Sequence, residues 1–269
     1  MLENSKELAR ILMVLPTLGQ RPDYLKLTLE SLNDQKDVLF DLVMIFPLDN
    51  IETMTLAKKY NATPVADPGS LSKAVNAGIA KAKLHHEYIG WIGDDDYITK
   101  RSLETAIQNL DKQPNAVLAF GYCDYIDENG NKLFSSRAGR LAPWLMTWGP
   151  NLVPCPGAVF RKEAINQVGG FDENNMYSMD LDMLLKLRKV GKFINTKTTL
   201  AAFRWHSTSQ TVNNREAVLN ETEQVKRKYL SKPLQKIAPV WEPLVRIATK
   251  IAANQVDRKV LKIKKQQKV

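Results

Sequence analysis

The chain has 269 residues, 44% hydrophobic and 25% charged, an ordinary globular composition that excludes a disordered or fibrous protein and suits one large domain, alone or with an appendage. Two cysteines, Cys123 and Cys155, exclude a disulfide scaffold and a cysteine-based zinc site and point to a reducing cytosol. The net charge of +9 is unevenly spread: residues 226–269 hold 13 Lys/Arg against two acids, whereas the residues before them carry 25 Lys/Arg against 27 acids.

The opening MLENSKELAR is partly acidic and has no apolar core of signal-peptide length. Residues 11–15, ILMVL, read as a buried strand ending at Pro16, and Leu25, Leu29 and Leu32 mark the buried face of a following helix. LVMIF at 42–46 is a second apolar strand, broken by Pro47. A helix is expected over Ile51–Tyr60, then a short strand at Pro64–Ala66 and the turn ADPGS. In LSKAVNAGIAKAK, Leu71, Val75 and Ile79 recur every four residues and share a helix face. YIGWIG is the next strand, and Ser102–Leu110 the next helix. Strands alternating with helices of this length imply βαβ units and a parallel sheet, in which ligands bind at the carboxyl ends of the strands.

Beyond Val117–Tyr122 the pattern changes. IDENGNKLF reads as a hairpin, and residues 141–160, rich in proline and tryptophan, as a long irregular loop of the kind that often carries function. A helix with Leu184, Leu187 and Val190 on one face ends at Gly191. No run approaches the roughly 18 apolar residues of a membrane-spanning helix.

The stretch YIGWIGDDDY raises a question of its own. Asp94, Asp95 and Asp96 end a strand, where three adjacent carboxylates repel one another. Carboxylate oxygens are hard ligands suited to Mg²⁺ or Mn²⁺, and such a cation would cancel the repulsion and hold a diphosphate. The plainer alternative is a solvated acidic turn that caps the next helix.

Six separated segments, in order, resemble glycosyltransferase family 2, the inverting, nucleotide-sugar-dependent enzymes of the GT-A fold. ILMVLPTLGQRPDYLKLTLESL is similar to the family's first strand, Pro-Thr turn and first helix, and GSLSKAVNAGIAKA to the helix before its metal strand. YIGWIGDDDYITKRSLETAI resembles the strand ending in the family's DXD-type motif, and GAVFRKEAINQVGGFDE its acceptor-side segment. MDLDMLLKLRKVGK is similar to the helix that carries the catalytic base, and FRWHSTSQT to the Arg-x-His-x-x-Ser segment after it. The resemblance spans about residues 10–212.

It implies an α/β GT-A fold, Rossmann-like, with a mostly parallel sheet and flanking helices, over residues 1–225. It implies transfer of a sugar from a nucleoside diphosphate sugar, by family a UDP-sugar, to a hydroxyl of a glycan or lipid-linked acceptor, using Mn²⁺ or Mg²⁺. By position Asp95 is the main metal ligand, with Asp96 and His206 beside it, and Asp94 faces the ribose. Pro16, Thr17, Arg21 and Lys73 fall on the nucleotide side. Asp180 matches the base that takes the acceptor proton; Asp182 reads instead as a first-turn acid favoured by the helix dipole. Two departures stand out: Met179 replaces the frequent Glu before the base, and FPLDN replaces the frequent Asp-Asp-Gly-Ser turn. Pro47 takes the place of the base-reading Asp, for which Asp49 substitutes only if the loop shifts. The rival readings are a sugar-phosphate nucleotidyltransferase, against which PTLGQR is a poor Gly-rich loop, and a catalytically degenerate glycosyltransferase acting as a scaffold.

Residues 226–269 form the second unit, a basic amphipathic helical tail. In LQKIAPVWEPLVRIATKIA the apolar residues recur at helical spacing, although Pro239 and Pro243 are expected to kink or interrupt the helix. Apolar residues with Trp241, followed by RKVLKIKKQQKV, read as an interfacial segment attracted to anionic lipid. The alternative is a helical hairpin packed on the catalytic domain. A nucleic-acid partner is not expected, since no aromatic stacking platform accompanies the charge. The expected location is cytoplasmic, on the inner face of the cell membrane.

Overall fold

The computed structural model describes residues 8–139 and 141–266, so the first seven residues and the last three of the basic tail lie outside it. In chain order the elements are β1 (Ile11–Pro16), α1 (Pro22–Asn33), β2 (Phe40–Phe46), α2 (Ile51–Lys59), β3 (Thr63–Ala66), α3 (Leu71–Ile79), β4 (Tyr88–Trp91) and β5 (Tyr97–Ile98). There follow α4 (Ser102–Asp111), β6 (Ala116–Ile126), β7 (Lys132–Ser136), α5 (Ala142–Leu145), β8 (Val159–Arg161) and α6 (Lys162–Gln167). The last are α7 (Met179–Leu187), β9 (Lys192–Arg204), α8 (Gln210–Asn213), α9 (Arg215–Tyr229) and α10 (Lys232–Gln266).

One sheet runs in the order β3-β2-β1-β4-β8-β6-β9-β5, with β7 paired to β6. The expected parallel arrangement holds for β3-β2-β1-β4 and again for β6 with β9. Between these blocks β8 lies antiparallel to both β4 and β6, and β5 is antiparallel to β9, so the sheet is mixed rather than mostly parallel. The expected hairpin is the β6–β7 pair.

Successive residues of β1 face opposite sides, and each side is covered, which is why the strand reads as unbroken apolar sequence. Leu12 and Val14 join Ala74 and Val75 of α3 and Leu184 of α7 in one core layer. Ile11, Met13 and Leu15 meet Leu25, Leu29 and Leu32 of α1 and Leu103 and Leu110 of α4 in the other. Local caps set the helix starts: Asn50 accepts from the Thr53 amide to begin α2, and Ser70 from the Lys73 amide to begin α3. The approach of α3 to β1 is close enough that a Cβ on Gly78 would meet Val14 Cγ1 at 2.4 Å.

The expected unit boundary at residues 225/226 falls inside α9; the chain breaks between helices at Leu230 and Ser231. α10 then runs without interruption through Pro239 and Pro243. Both prolines are exposed, so water can satisfy the carbonyls they leave without a partner. Among the described residues no helix is long and apolar enough to cross a membrane.

Candidate active site

A cavity of about 770 Å³ lies at the carboxyl ends of β1 and β4, where a sheet of this kind is expected to hold its ligand. One wall comes from the turn after β1, with Pro16, Thr17 and Arg21, and from the three aspartates after β4. The opposite wall includes Cys155 of the irregular loop and Asp180 at the start of α7.

The repulsion among the aspartates is met by distributing their partners. Asp94 accepts from Thr17 Oγ1 at 2.5 Å and from Arg21 Nη2 at 2.5 Å. Asp95 Oδ2 accepts from Arg21 Nη1 at 2.6 Å and lies 2.9 Å from His206 Nε2. One guanidinium thus spans two carboxylates in the fork geometry that arginine favours. Asp96 turns the other way: its Oδ1 accepts from the Arg204 backbone amide at 2.9 Å, and its carbonyl accepts from Thr28 Oγ1 at 2.6 Å.

These environments separate the three acids. Burial raises Asp94, against the pull of Arg21 and Thr17. Burial would also raise Asp95, but the His206 hydrogen bond and the Arg21 charge outweigh it and hold this carboxyl below its usual range. Asp96 is pushed well above that range by burial and by the neighbouring Asp95 charge. Arg204 braces the turn from beneath. It is 2% exposed, stacks over the Tyr24 ring at 4.4 Å, and donates to the carbonyls of Asp95, Asp127 and Glu128.

Asp95 Oδ2 and His206 Nε2 are hydrogen-bonded to each other, and Arg21 Nη1 sits against both, 2.6 Å from the oxygen and 3.2 Å from the nitrogen. A cation held by these two groups would therefore displace the guanidinium and the proton they share. By donor type, carboxylate oxygen and imidazole nitrogen suit Mn²⁺, and the oxygens suit Mg²⁺. A second cluster, Asp41, His85 and His86, also brings three donors within 4.8 Å of one another, but at the opposite, amino-terminal ends of β2 and β4. There His86 Nδ1 accepts from the Lys83 amide at 2.9 Å, so Nε2 carries the proton toward Asp41 and has no lone pair for a cation.

Asp180 Oδ1 accepts from the Leu181 amide at 2.7 Å. Burial raises its pKa; the Leu181 amide and a hydrogen bond from the Cys155 thiol pull in the other direction. The segment ahead of it is held from outside. Glu221 of α9 accepts from the amides of Met176, Tyr177 and Ser178 at 3.1, 2.8 and 2.6 Å, and Ser178 Oγ lies 2.9 Å from Thr222 Oγ1. Asp182 is not a cavity residue. It is 1% exposed and is held by Tyr229 at 2.7 Å and Lys186 at 3.0 Å.

Pro16, Thr17, Arg21, Asp94, Asp95, Asp96 and Asp180 thus line one cavity, with His206 against Asp95. Lys73 and Asp49 do not join them: Lys73 is exposed on α3, and Asp49 is exposed in the β2–α2 turn, whose polar role falls to its neighbour Asn50. Asp67, which the motifs do not single out, lines the cavity at the end of β3 and accepts from the Gly69 amide at 3.1 Å. Its only signal was its place in ADPGS, next to the carboxyl end of a strand. Glu221 left no signal, because its work depends on a contact 43 to 45 residues away in sequence.

The profile of the family described as "Glycosyltransferase like family 2" matches residues 47–216. The chain belongs to that family. It is also similar to the uncharacterized glycosyltransferase RP339 of Rickettsia prowazekii, with 25% identity over 227 residues, 78% of this chain and 68% of that protein. Among solved structures it is similar to S. aureus TarS 1–349 in complex with UDP-GlcNAc, at TM-score 0.58 and 15% identity over 82% of this chain and 71% of that one. It is likewise similar to the mannosyltransferase PcManGT from Pyrobaculum calidifontis in complex with GDP-Man and Mn²⁺, at TM-score 0.62 and 15% identity over 95% and 75%. At these identities the two structures show a shared GT-A-like fold. The protein is a glycosyltransferase, and the nucleotidyltransferase reading falls.

Proposed function

We propose that the protein moves a sugar from a nucleoside diphosphate sugar, a UDP-sugar by family, to a hydroxyl of a glycan or lipid-linked acceptor, with inversion at the anomeric carbon. The observation that carries this reading is that the aspartate–arginine wall and Asp180 face one cavity. Both solved relatives named above are described with nucleotide sugars, which supports a donor of that class.

Asp95 and His206, with Asp96 behind them, would hold Mn²⁺ or Mg²⁺, which neutralises charge on a diphosphate leaving group. Thr17, Arg21 and Asp94 line the donor end of the cavity with Pro16 shaping the turn. Asp67, rather than Asp49, is the carboxylate available to the nucleotide on the β3 side. The acceptor hydroxyl passes its proton to Asp180 while its oxygen bonds the anomeric carbon and the bond from that carbon to the diphosphate breaks. A carboxyl raised by burial is a better proton acceptor than an ordinary aspartate. A single displacement of this kind inverts the anomeric centre and needs no second carboxylate as nucleophile. An anionic membrane surface is the proposed partner of the tail.

A thermal-shift panel of nucleotide sugars, with Mn²⁺ and with EDTA, tests the donor. Stabilisation by a UDP-sugar that depends on the cation is the expected result; stabilisation by none of the panel would refute the reading.

A further inference from the structure

The two faces of α10 differ in chemistry. Its inner face is tied to α9 and to the catalytic domain by ion pairs, hydrogen bonds and packing. Arg227 of α9 pairs with Glu242, Arg246 donates to Glu216 and Glu223, and Lys250 pairs with Glu216. Asp257 accepts from Arg215 and from the indole of Trp205. Ala238 and Val256 are buried. Trp241, expected at a lipid boundary, instead packs against Trp148 with ring centroids 5.7 Å apart.

The outer face carries Ile237, Val240, Leu244, Ile247 and Ile251, exposed by 52, 76, 69, 55 and 53%. They follow one another at alternating spacings of three and four, so they form one stripe along the helix. From Ile237 to Ile251 the stripe is about 21 Å long at 1.5 Å per residue. Cations flank it at both ends: Lys232 and Lys236 before it, Arg258 and Lys262 after it, all exposed. The only acids in the helix are Glu242 and Asp257, and both are turned inward onto arginines. The outer surface of α10 is therefore apolar in the middle, cationic at the ends and free of acids.

We infer that this outer face is a docking surface for an anionic lipid layer, with the aliphatic stripe entering the headgroup boundary and the flanking cations meeting lipid phosphates. An apolar stripe flanked by lysine and arginine is the chemistry of a helix lying in the interface plane. A second copy of the chain is the wrong occupant. Two such faces in contact would set cations against cations, with no acid on either side to answer them. The inference rests on the exposure and charge of α10 alone, so it does not depend on donor, metal or base. It does reach the active site. Asp257 accepts from Trp205, and Trp205 lines the catalytic cavity, so the helix that docks also touches the wall of that cavity.

The test uses the full chain and co-sedimentation with vesicles of phosphatidylcholine alone or mixed with phosphatidylglycerol. Binding is expected only with the anionic lipid and is expected to fall with added salt as screening shortens. The double variant Leu244→Glu/Ile247→Glu changes two exposed positions and is expected to weaken binding by roughly tenfold or more. Arg258→Gln/Lys262→Gln is expected to weaken it and flatten its salt dependence. Leu84→Glu, at a fully exposed leucine elsewhere, is expected to bind like the parent chain, and circular dichroism confirms that each variant folds. Three results would overturn the inference: a parent chain that ignores anionic vesicles, a Leu244→Glu/Ile247→Glu variant that binds as well as the parent, or light scattering that shows a dimer lost in that variant.

Discussion

Glu221 links the scaffold to the proposed chemistry. One carboxylate on α9 accepts three consecutive backbone amides just before α7, at 3.1, 2.8 and 2.6 Å. Replacing it with alanine leaves those amides without their charged acceptor. The Met176 amide is exposed and can turn to water, whereas those of Tyr177 and Ser178 are partly buried. Hydrogen bonds to charged groups contribute about 1.5–3 kcal/mol each, so two of them imply a loss of about 3 kcal/mol or somewhat more for Glu221→Ala. Glu221→Gln keeps the shape and one acceptor oxygen and is expected to lose about half as much.

The glutamine variant also removes a negative charge that helps to raise Asp180. A base acts only when deprotonated, so transfer fades as pH falls through the pKa of Asp180. Lowering that pKa moves the acid limb of the rate profile to lower pH. The assay is the pH dependence of kcat alongside thermal unfolding. The expected pattern for Glu221→Gln is a reduced kcat with the acid limb displaced downward, at little change in donor KM. A variant that loses stability but keeps both kcat and the position of the limb would refute the idea that α9 positions the base.

Asp95→Ala is expected to stay folded and bind a nucleoside diphosphate equally with Mn²⁺ or EDTA, whereas the parent chain binds more tightly with the cation; calorimetry reads the difference. Asp180→Asn is expected to raise the unfolding midpoint at neutral pH. A carboxyl whose pKa is raised on folding favours the folded state below its unfolded pKa, and that advantage is lost as pH rises through the folded value. Removing the charge therefore relieves a cost at neutral pH, and the gain should vanish in acid. Gly78→Val is expected to destabilise by about 1–3 kcal/mol in denaturant unfolding, since its Cβ would meet Val14 Cγ1 at 2.4 Å and the stiff valine has little room to yield.

The regular elements were legible because their signals are local. ILMVL, LVMIF and the Leu25/Leu29/Leu32 stripe became β1, β2 and the buried face of α1. The three-residue β8 and two-residue β5 were not, since strands that short carry no readable period and their antiparallel pairing is decided by distant partners. Both prolines in α10 misled for a related reason. The rule against proline assumes a freed carbonyl with nothing to bond, and on this exposed side water is available. At the site, the aspartates stood out by their repulsion, but Arg21, which relieves it, sits more than 70 residues away. Position after a strand does not fix side-chain direction: the turn leaves Asp49 in solvent, whereas Asp67, just past β3, lines the cavity.

The central claim is that one cavity joins a nucleotide-sugar end to a base, and Asp180→Asn tests it most directly. Donor binding by calorimetry and sugar transfer to an acceptor are measured on the same preparation as the parent chain. The account predicts unchanged donor affinity and transfer reduced by about 10²–10⁴-fold, the usual loss for an acid–base group. Transfer at the parental rate, or lost only because donor no longer binds, would contradict it.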